Sequence, residues 1–122
     1  MAVLRFDHVN IRTNDVAASA RFYVELFDFE FRQGPEVAGN QSNWLFDKSG
    51  APIIHFRQLT SDAQSTGSID HIAFTCNGLD DILDRLKTRG INCNVFENPV
   101  EPVTQVFVKD PHGIMLELRF PR

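Results

Sequence analysis

The sequence contains two closely similar stretches, FDHVNI at residues 6–11 and IDHIAF at residues 69–74. Each stretch places Asp-His after an apolar residue and continues with residue types that are common in β-strands. When His8 is aligned with His71, the rest of the first half of the chain maps onto the second half. A repeat on this scale predicts two copies of one supersecondary unit.

The two halves continue with the same order of predicted elements. In both halves a stretch with apolar residues at helical spacing follows the repeated strand, over residues 14–27 and 78–90. Three strand-like segments come next, and the last two are joined by a turn, KSGAP at 48–52 and DPHG at 110–113. The sequence therefore predicts an α+β fold, with tandem βαβββ modules that form a curved mixed sheet around a cleft and helices on the outer face.

With 122 residues the chain has the length of a single domain. We expect module 1 to span residues 1–59 and module 2 to span residues 69–122. The polar segment TSDAQSTGS at residues 60–68 is typical of a linker between them. The Gly- and Pro-containing stretches GPEVAGNQ (34–41) and ENPVEP (97–102) are predicted to be equivalent loops.

The bulk properties exclude several classes of function. A net charge of -4, without a basic cluster, argues against a nucleic-acid partner. No stretch approaches the roughly 20 apolar residues of a membrane span, and the N-terminus has no signal-peptide pattern. Cys76 and Cys93 have neither metal-site spacing nor the pattern of a disulfide framework. We expect a cytoplasmic protein whose partner is a small-molecule substrate, without nucleic acid or membrane.

Three of the four histidines are candidates for metal binding. Side chains alternate across a strand, so each strand that carries them separates an apolar face from a mixed polar face. The mixed face receives four groups at repeat-equivalent positions, namely His8, His55, His71 and Glu117. Three imidazoles and a carboxylate form a donor set that suits Zn, Ni, Mn or Fe(II). The alternative, that these are ordinary surface residues, stays open, and His112 within DPHG is predicted to be a turn residue.

The motifs together resemble those of the vicinal oxygen chelate superfamily. The resemblance rests on DHVNI, ARFYVELFDFE, IDHIAF and FVKDPHGIMLEL and covers essentially the whole chain. The superfamily includes glyoxalase I, methylmalonyl-CoA epimerase, extradiol dioxygenases, fosfomycin-resistance enzymes and bleomycin resistance proteins.

The resemblance implies roles for individual residues. One divalent metal ion per site would be bound by His8, His55, His71 and Glu117, and Glu117 would also be the catalytic base. Arg12 corresponds to an arginine with which glyoxalase I holds the glutathione carboxylate, and Asn10 to a threonine of the fosfomycin enzymes. Further substrate contacts are expected from the residues of the same faces, Trp44, Phe46, Gln105 and Phe107. Relatives of this length imply a homodimer.

The resemblance leaves three kinds of function open. A glyoxalase- or epimerase-like lyase or isomerase is favoured, because the donor set is complete and includes an extra imidazole, His55. Glyoxalase I has a glutamate at that position, followed by Asn-Trp-Gly, which this chain lacks. An Fe(II) extradiol-type dioxygenase acting on a catechol-like aromatic is the first alternative, although such enzymes use two histidines and one glutamate. A non-catalytic small-molecule binding or resistance protein is the second alternative, although bleomycin-binding relatives have no metal ligands.

Overall fold

The computed structural model describes residues 1, 4, 6, 8–37, 40–59, 69 and 71–122, and the predicted linker at 60–68 lies outside these ranges. The elements follow one another as β1 (Val9–Thr13), α1 (Val16–Phe27), β2 (Glu30–Val37), β3 (Asn40–Phe46), β4 (Pro52–Gln58), β5 (His71–Thr75), α2 (Leu79–Thr88), β6 (Asn94–Glu97), β7 (Val103–Lys109) and β8 (Met115–Pro121).

The chain divides into two compact units, residues 1–63 and 64–122. Each unit contains one helix and one four-stranded mixed sheet, with strand orders β1-β4-β3-β2 and β5-β8-β7-β6. In each sheet the first strand pairs in parallel with the last strand, and the remaining pairs are antiparallel. The predicted α+β fold class is therefore confirmed.

Helix α1 begins at Asp15, whose carboxylate accepts a hydrogen bond of 3.0 Å from the Ala18 amide. This N-cap satisfies a backbone donor that would otherwise lack a partner at the helix start. The buried face of the helix carries Tyr23, which is fully buried and has its ring centroid 6.0 Å from that of Phe56 in β4. The aromatic contact fixes α1 against one face of the first sheet.

Helix α2 buries Ile82 and Leu86, and it ends in a Schellman turn. Gly90 follows the helix with a φ of 66°, a left-handed conformation that favours glycine. The Ile91 amide then donates a hydrogen bond of 2.9 Å to the carbonyl of Leu86. Neither helix within the described ranges is long and apolar enough to cross a membrane.

Two repeat-equivalent aspartates close the turns before β4 and β8. The Asp47 carboxylate accepts from the amides of Ser49 (2.9 Å) and Ala51 (3.0 Å). The Asp110 carboxylate accepts in the same way from the amides of His112 (2.8 Å) and Ile114 (2.9 Å). His112 therefore belongs to a capped turn, in agreement with its predicted role.

We expect Asp47→Ala to lower the free energy of unfolding at neutral pH by about 1–2 kcal/mol, because several hydrogen bonds are lost. The hydrogen bond from the Ser49 hydroxyl is the main cause that lowers the pKa of Asp47 below its ordinary value. A lowered folded-state pKa stabilises the protein above the unfolded-state pKa, and this part is lost as the pH falls through the folded-state pKa. Urea unfolding of both proteins across this acid range checks the prediction. A stability difference that does not shrink on acidification would contradict it.

The predicted loop at 34–41 is wrong in its position. Strand β2 continues to Val37, and its pairing with β3 is irregular between Gln33 and Glu36, where Gly-Pro is accommodated. Strand β2 is the outer strand of its sheet, and edge strands with a bulge tolerate proline. The equivalent stretch in the second unit does connect two strands, since β6 ends at Glu97 and β7 begins at Val103.

Candidate functional site

The two faces of the strands differ as the alternation predicted. In β1 the side chain of Ile11 is buried while Arg12 is exposed, and in β4 Ile54 and Phe56 are buried while His55 is half-buried. The first sheet therefore turns its apolar side chains into the core with α1 and leaves His55 on the opposite, polar face. We use the term polar face for this side of each sheet.

On the polar face of the first unit, the ring of Trp44 contacts both predicted histidine ligands. Trp44 pairs with His55 across β3 and β4, and their rings stack with centroids 4.4 Å apart and an interplanar angle of 8°. The ring of His8 meets the same indole edge-on, at 4.8 Å and 68°. The centroids of the two imidazoles are 6.5 Å apart. The structure thus brings His8, His55 and Trp44 together.

Asn10 contacts His55 directly. The two residues are register partners in the parallel β1–β4 pair, and Asn10 Nδ2 lies 3.1 Å from His55 Nδ1. The pKa of His55 is lowered by burial, and further by the positive charges of His8 and Arg57. A lowered pKa favours the neutral imidazole, which is the form that binds a metal ion.

Three arginines also lie on the polar face of the first unit. Arg12 and Arg57 are register partners and both are exposed. Arg32 pairs with Trp44 in register, forms a 2.9 Å ion pair with Glu30 and lies 4.3 Å from the ring centroid of Phe46. Phe46, a predicted cleft residue, is therefore half-buried beneath a cation.

In the second unit the predicted ligand Glu117 is held in a hydrogen-bonded network. Its exposed fraction is 7%, which is unusual for a carboxylate on the polar face of a sheet. Gln105 Nε2 donates to Glu117 Oε1 at 2.6 Å, and Arg119 Nη1 lies 3.4 Å from Glu117 Oε2. Gln105 itself accepts a hydrogen bond of 3.2 Å from Asn98, and Arg119 pairs with Glu101 as well. The carboxylate is therefore both ionically compensated and oriented.

His71 occupies an exposed position at the start of β5. Glu117 pairs with Ala73, two residues further along β5, and with the predicted contact residue Phe107 across β7. The first unit has the same spacing. Asn10 lies two residues after His8 and is the register partner of His55. In both units, therefore, the second donor is the register partner of the residue that lies two positions after the histidine.

Strand alternation places Arg57 and Arg119 on these faces, but neither was predicted to be a site residue. Each follows a predicted ligand by two positions, Arg57 after His55 and Arg119 after Glu117. Because side chains at i and i+2 share one side of a strand, this spacing was the signal that could have identified them.

Each unit presents two donors of the types that bind divalent transition metals. Across the described residues, no group of three or more His, Cys, Asp and Glu side chains is arranged so that it could hold a metal ion. The first unit provides two imidazoles, one of them kept neutral by its lowered pKa. The second unit provides an imidazole and an oriented carboxylate. These are the ligand types that Zn, Ni, Mn and Fe(II) accept.

Two repeated βαβββ units, each with a histidine at or directly before the start of its first strand and a donor on its last, define a class of tandem-module proteins. Residues 5–118 match the family model described as Glyoxalase/Bleomycin resistance protein/Dioxygenase superfamily. The chain belongs to this superfamily.

Individual relatives agree with that assignment. The chain is 26% identical to "Glyoxylase I 4" of Arabidopsis thaliana, over 92% of this chain and 68% of the relative. A glyoxylase/bleomycin resistance protein/dioxygenase domain from Frankia sp. EAN1pec has the same fold, with a TM-score of 0.78 and 22% identity over 99% of this chain and 94% of the other. A mutant of the fosfomycin resistance protein FosX from Listeria monocytogenes, in complex with Mn(II) and 1S,2S-dihydroxypropylphosphonic acid, has a TM-score of 0.72 and 17% identity over 97% and 93%.

Proposed function

We propose that the protein is a metal-dependent lyase or isomerase of the glyoxalase or epimerase type. Its substrate would be a small molecule that chelates the metal through neighbouring oxygens. The observation that carries this proposal is the equivalent donor pair on the polar face of each unit, where the second donor pairs with the residue two positions after the histidine.

The proposed ligands are His8, His55, His71 and Glu117, which together bind one divalent ion, Ni, Zn, Mn or Fe(II). Support comes from the lowered pKa of His55, since a neutral imidazole binds metal without first losing a proton. The Mn(II) in the FosX complex is consistent with this chemistry. When bound, the ion supplies Lewis-acid stabilisation of negative charge on a substrate oxygen.

Glu117 is the proposed base that moves a proton at the carbon next to that oxygen. Gln105 donates to Oε1 at 2.6 Å, which fixes the plane of the carboxylate. Its exposed fraction of 7% limits the contact of the carboxylate with water. Arg119, near Oε2, compensates the negative charge of this buried group.

The remaining predicted contact residues divide between the two units. Asn10, Arg12, Trp44 and Phe46 are the proposed substrate contacts of the first unit, while Gln105 and Phe107 are those of the second. The proposal also includes a homodimer acting in the cytoplasm on this small molecule.

Proton transfer can be tested by hydrogen exchange in D2O. Metal-loaded protein is incubated with thiol adducts of 2-oxoaldehydes and with branched acyl thioesters, and the acidic C–H signal is followed by NMR. We expect exchange with at least one substrate, slowed at least about 100-fold in Glu117→Gln, because a positioned base is lost. Glu97→Gln is the matched control, since Glu97 is an exposed glutamate in β6.

Two other outcomes would replace the proposal. Oxygen uptake by Fe(II)-loaded protein with catechols, without C–H exchange, would establish the dioxygenase alternative, to which the aromatic pair Trp44 and Phe46 is suited. Tight binding of a small ligand by metal-free protein, without turnover of any substrate, would establish a binding protein.

A further inference from the structure

Arg12 and Arg57 form a pair of adjacent cations on the polar face of the first unit. They are direct register partners in the parallel β1–β4 pair, and both side chains are exposed. Neighbouring strands lie about 5 Å apart, so the two arginines emerge from adjacent points of the same surface. Of the two, only Arg12 is a substrate contact predicted from the sequence.

This pair is electrostatically uncompensated within the described part of the chain. Among those residues neither Arg12 nor Arg57 has an ion pair, whereas Arg32 on the same face pairs with Glu30. Two like charges held at neighbouring positions repel each other, and the repulsion is weakened by solvent and salt. The chain carries a net charge of -4, so this local positive charge is opposite in sign to the charge of the chain as a whole. An anion placed between the two groups would remove the repulsion.

The pair lies next to the proposed metal ligands of the same unit. Arg57 follows His55 by two residues on β4, and Arg12 follows Asn10, the hydrogen-bonding partner of His55, by two residues on β1. An anionic group held by the arginines would therefore lie one row of side chains away from His55. One small molecule could therefore contact His55 with one end and the two arginines with an anionic group at its other end.

We propose that Arg12 and Arg57 together bind a doubly charged oxyanion of the substrate, of the phosphate or phosphonate type. A guanidinium donates two parallel hydrogen bonds to such an oxyanion, and two guanidinium groups match two negative charges. A single carboxylate would compensate only one of the two cations. The inference rests on the proposed function for the identity of the reacting site, and it adds Arg57 and the charge of the substrate to it.

The test measures anion binding to the chelator-treated 122-residue chain at constant ionic strength and at about pH 8, where phosphate groups are mainly dianions. Inorganic phosphate and methylphosphonate are the probes, and acetate is the monoanionic comparison. We expect both probes to bind at least about tenfold more tightly than acetate. Arg12→Gln and Arg57→Gln should each lower phosphate affinity at least about tenfold. Arg21→Gln, which removes the same charge from an exposed position of α1, should leave it unchanged.

Thermal unfolding gives a second readout that separates binding from folding defects. Phosphate is expected to raise the unfolding temperature of the wild type and of Arg21→Gln, but not that of Arg57→Gln. Without phosphate, Arg57→Gln should unfold at the wild-type temperature or above it, because the repulsion from Arg12 is removed.

Equal phosphate binding by the wild type and Arg57→Gln would overturn the proposal, as would equal affinity for acetate and phosphate. The metal content of the same variants, purified without chelators, distinguishes this failure from failure of the proposed function. Protein that binds metal but not phosphate refutes the oxyanion site alone. Protein that binds phosphate through the arginines but no metal supports the oxyanion site and refutes the metal site.

Discussion

Replacing His71 with alanine is expected to weaken the binding of a divalent metal ion at least about 100-fold, and His8→Ala is expected to have an effect of the same size. Each substitution removes one donor, and loss of even an outer-sphere partner of a metal ligand commonly costs 10–100-fold in affinity (~1–3 kcal/mol). The two histidines lie in different units of the chain, on β5 and directly before β1. We expect similar losses in both variants, because the proposal counts both histidines as ligands of the same ion.

The measurement is a titration of chelator-treated protein with Zn or Ni in competition with a chromophoric chelator. His112→Ala is the matched control, because His112 lies in the capped turn before β8 and is not a proposed ligand. The control should bind metal as the wild type does. Wild-type affinity in His71→Ala would contradict the proposed role of His71 as a metal ligand.

Replacing Phe56 with alanine is expected to lower the free energy of unfolding by about 3–5 kcal/mol. The side chain is fully buried, and its ring centroid lies 6.0 Å from that of Tyr23 on α1. The substitution leaves a cavity at the point where the helix packs on the sheet that carries His55. Because small domains are stable by only about 5–15 kcal/mol, such a loss is a large part of the total.

Urea unfolding, followed by circular dichroism and by the fluorescence of Trp44, measures this effect. Phe96→Ala is the control, since Phe96 is 50% exposed on β6 and its loss should change the stability by no more than about 0.5 kcal/mol. Equal effects of the two substitutions would contradict the assignment of Phe56 to the core. Phe56→Ala should also weaken metal binding, because it loosens the strand that positions His55.

The repeat around His8 and His71 was sufficient to predict the order of the elements and the α+β class. Strand alternation was sufficient to predict which side of each strand carries His55 and Glu117. Both signals are local, since they depend only on residue types at fixed short spacings. They do not depend on how distant segments of the chain are aligned.

The contacts within each face could not be predicted in this way, because they depend on the register of strands that are far apart in sequence. The stacking of Trp44 on His55 and the pairing of Arg12 with Arg57 follow from the β3–β4 and β1–β4 registers. The burial of Glu117 likewise depends on Gln105 and Phe107, which β7 places beside it. Alternation predicts a face, whereas register determines which residues of that face are neighbours.

The most direct test of the central claim is the metal content of protein purified without chelators, measured by elemental analysis. The proposed site predicts one divalent transition metal ion per chain in the wild type, and less than about a tenth of that in a His8→Ala, His71→Ala double variant. Iron as the bound metal would direct attention to the dioxygenase chemistry, and nickel or zinc to the isomerase chemistry. A wild-type protein without bound metal after reconstitution, or a double variant with undiminished metal, would contradict the account.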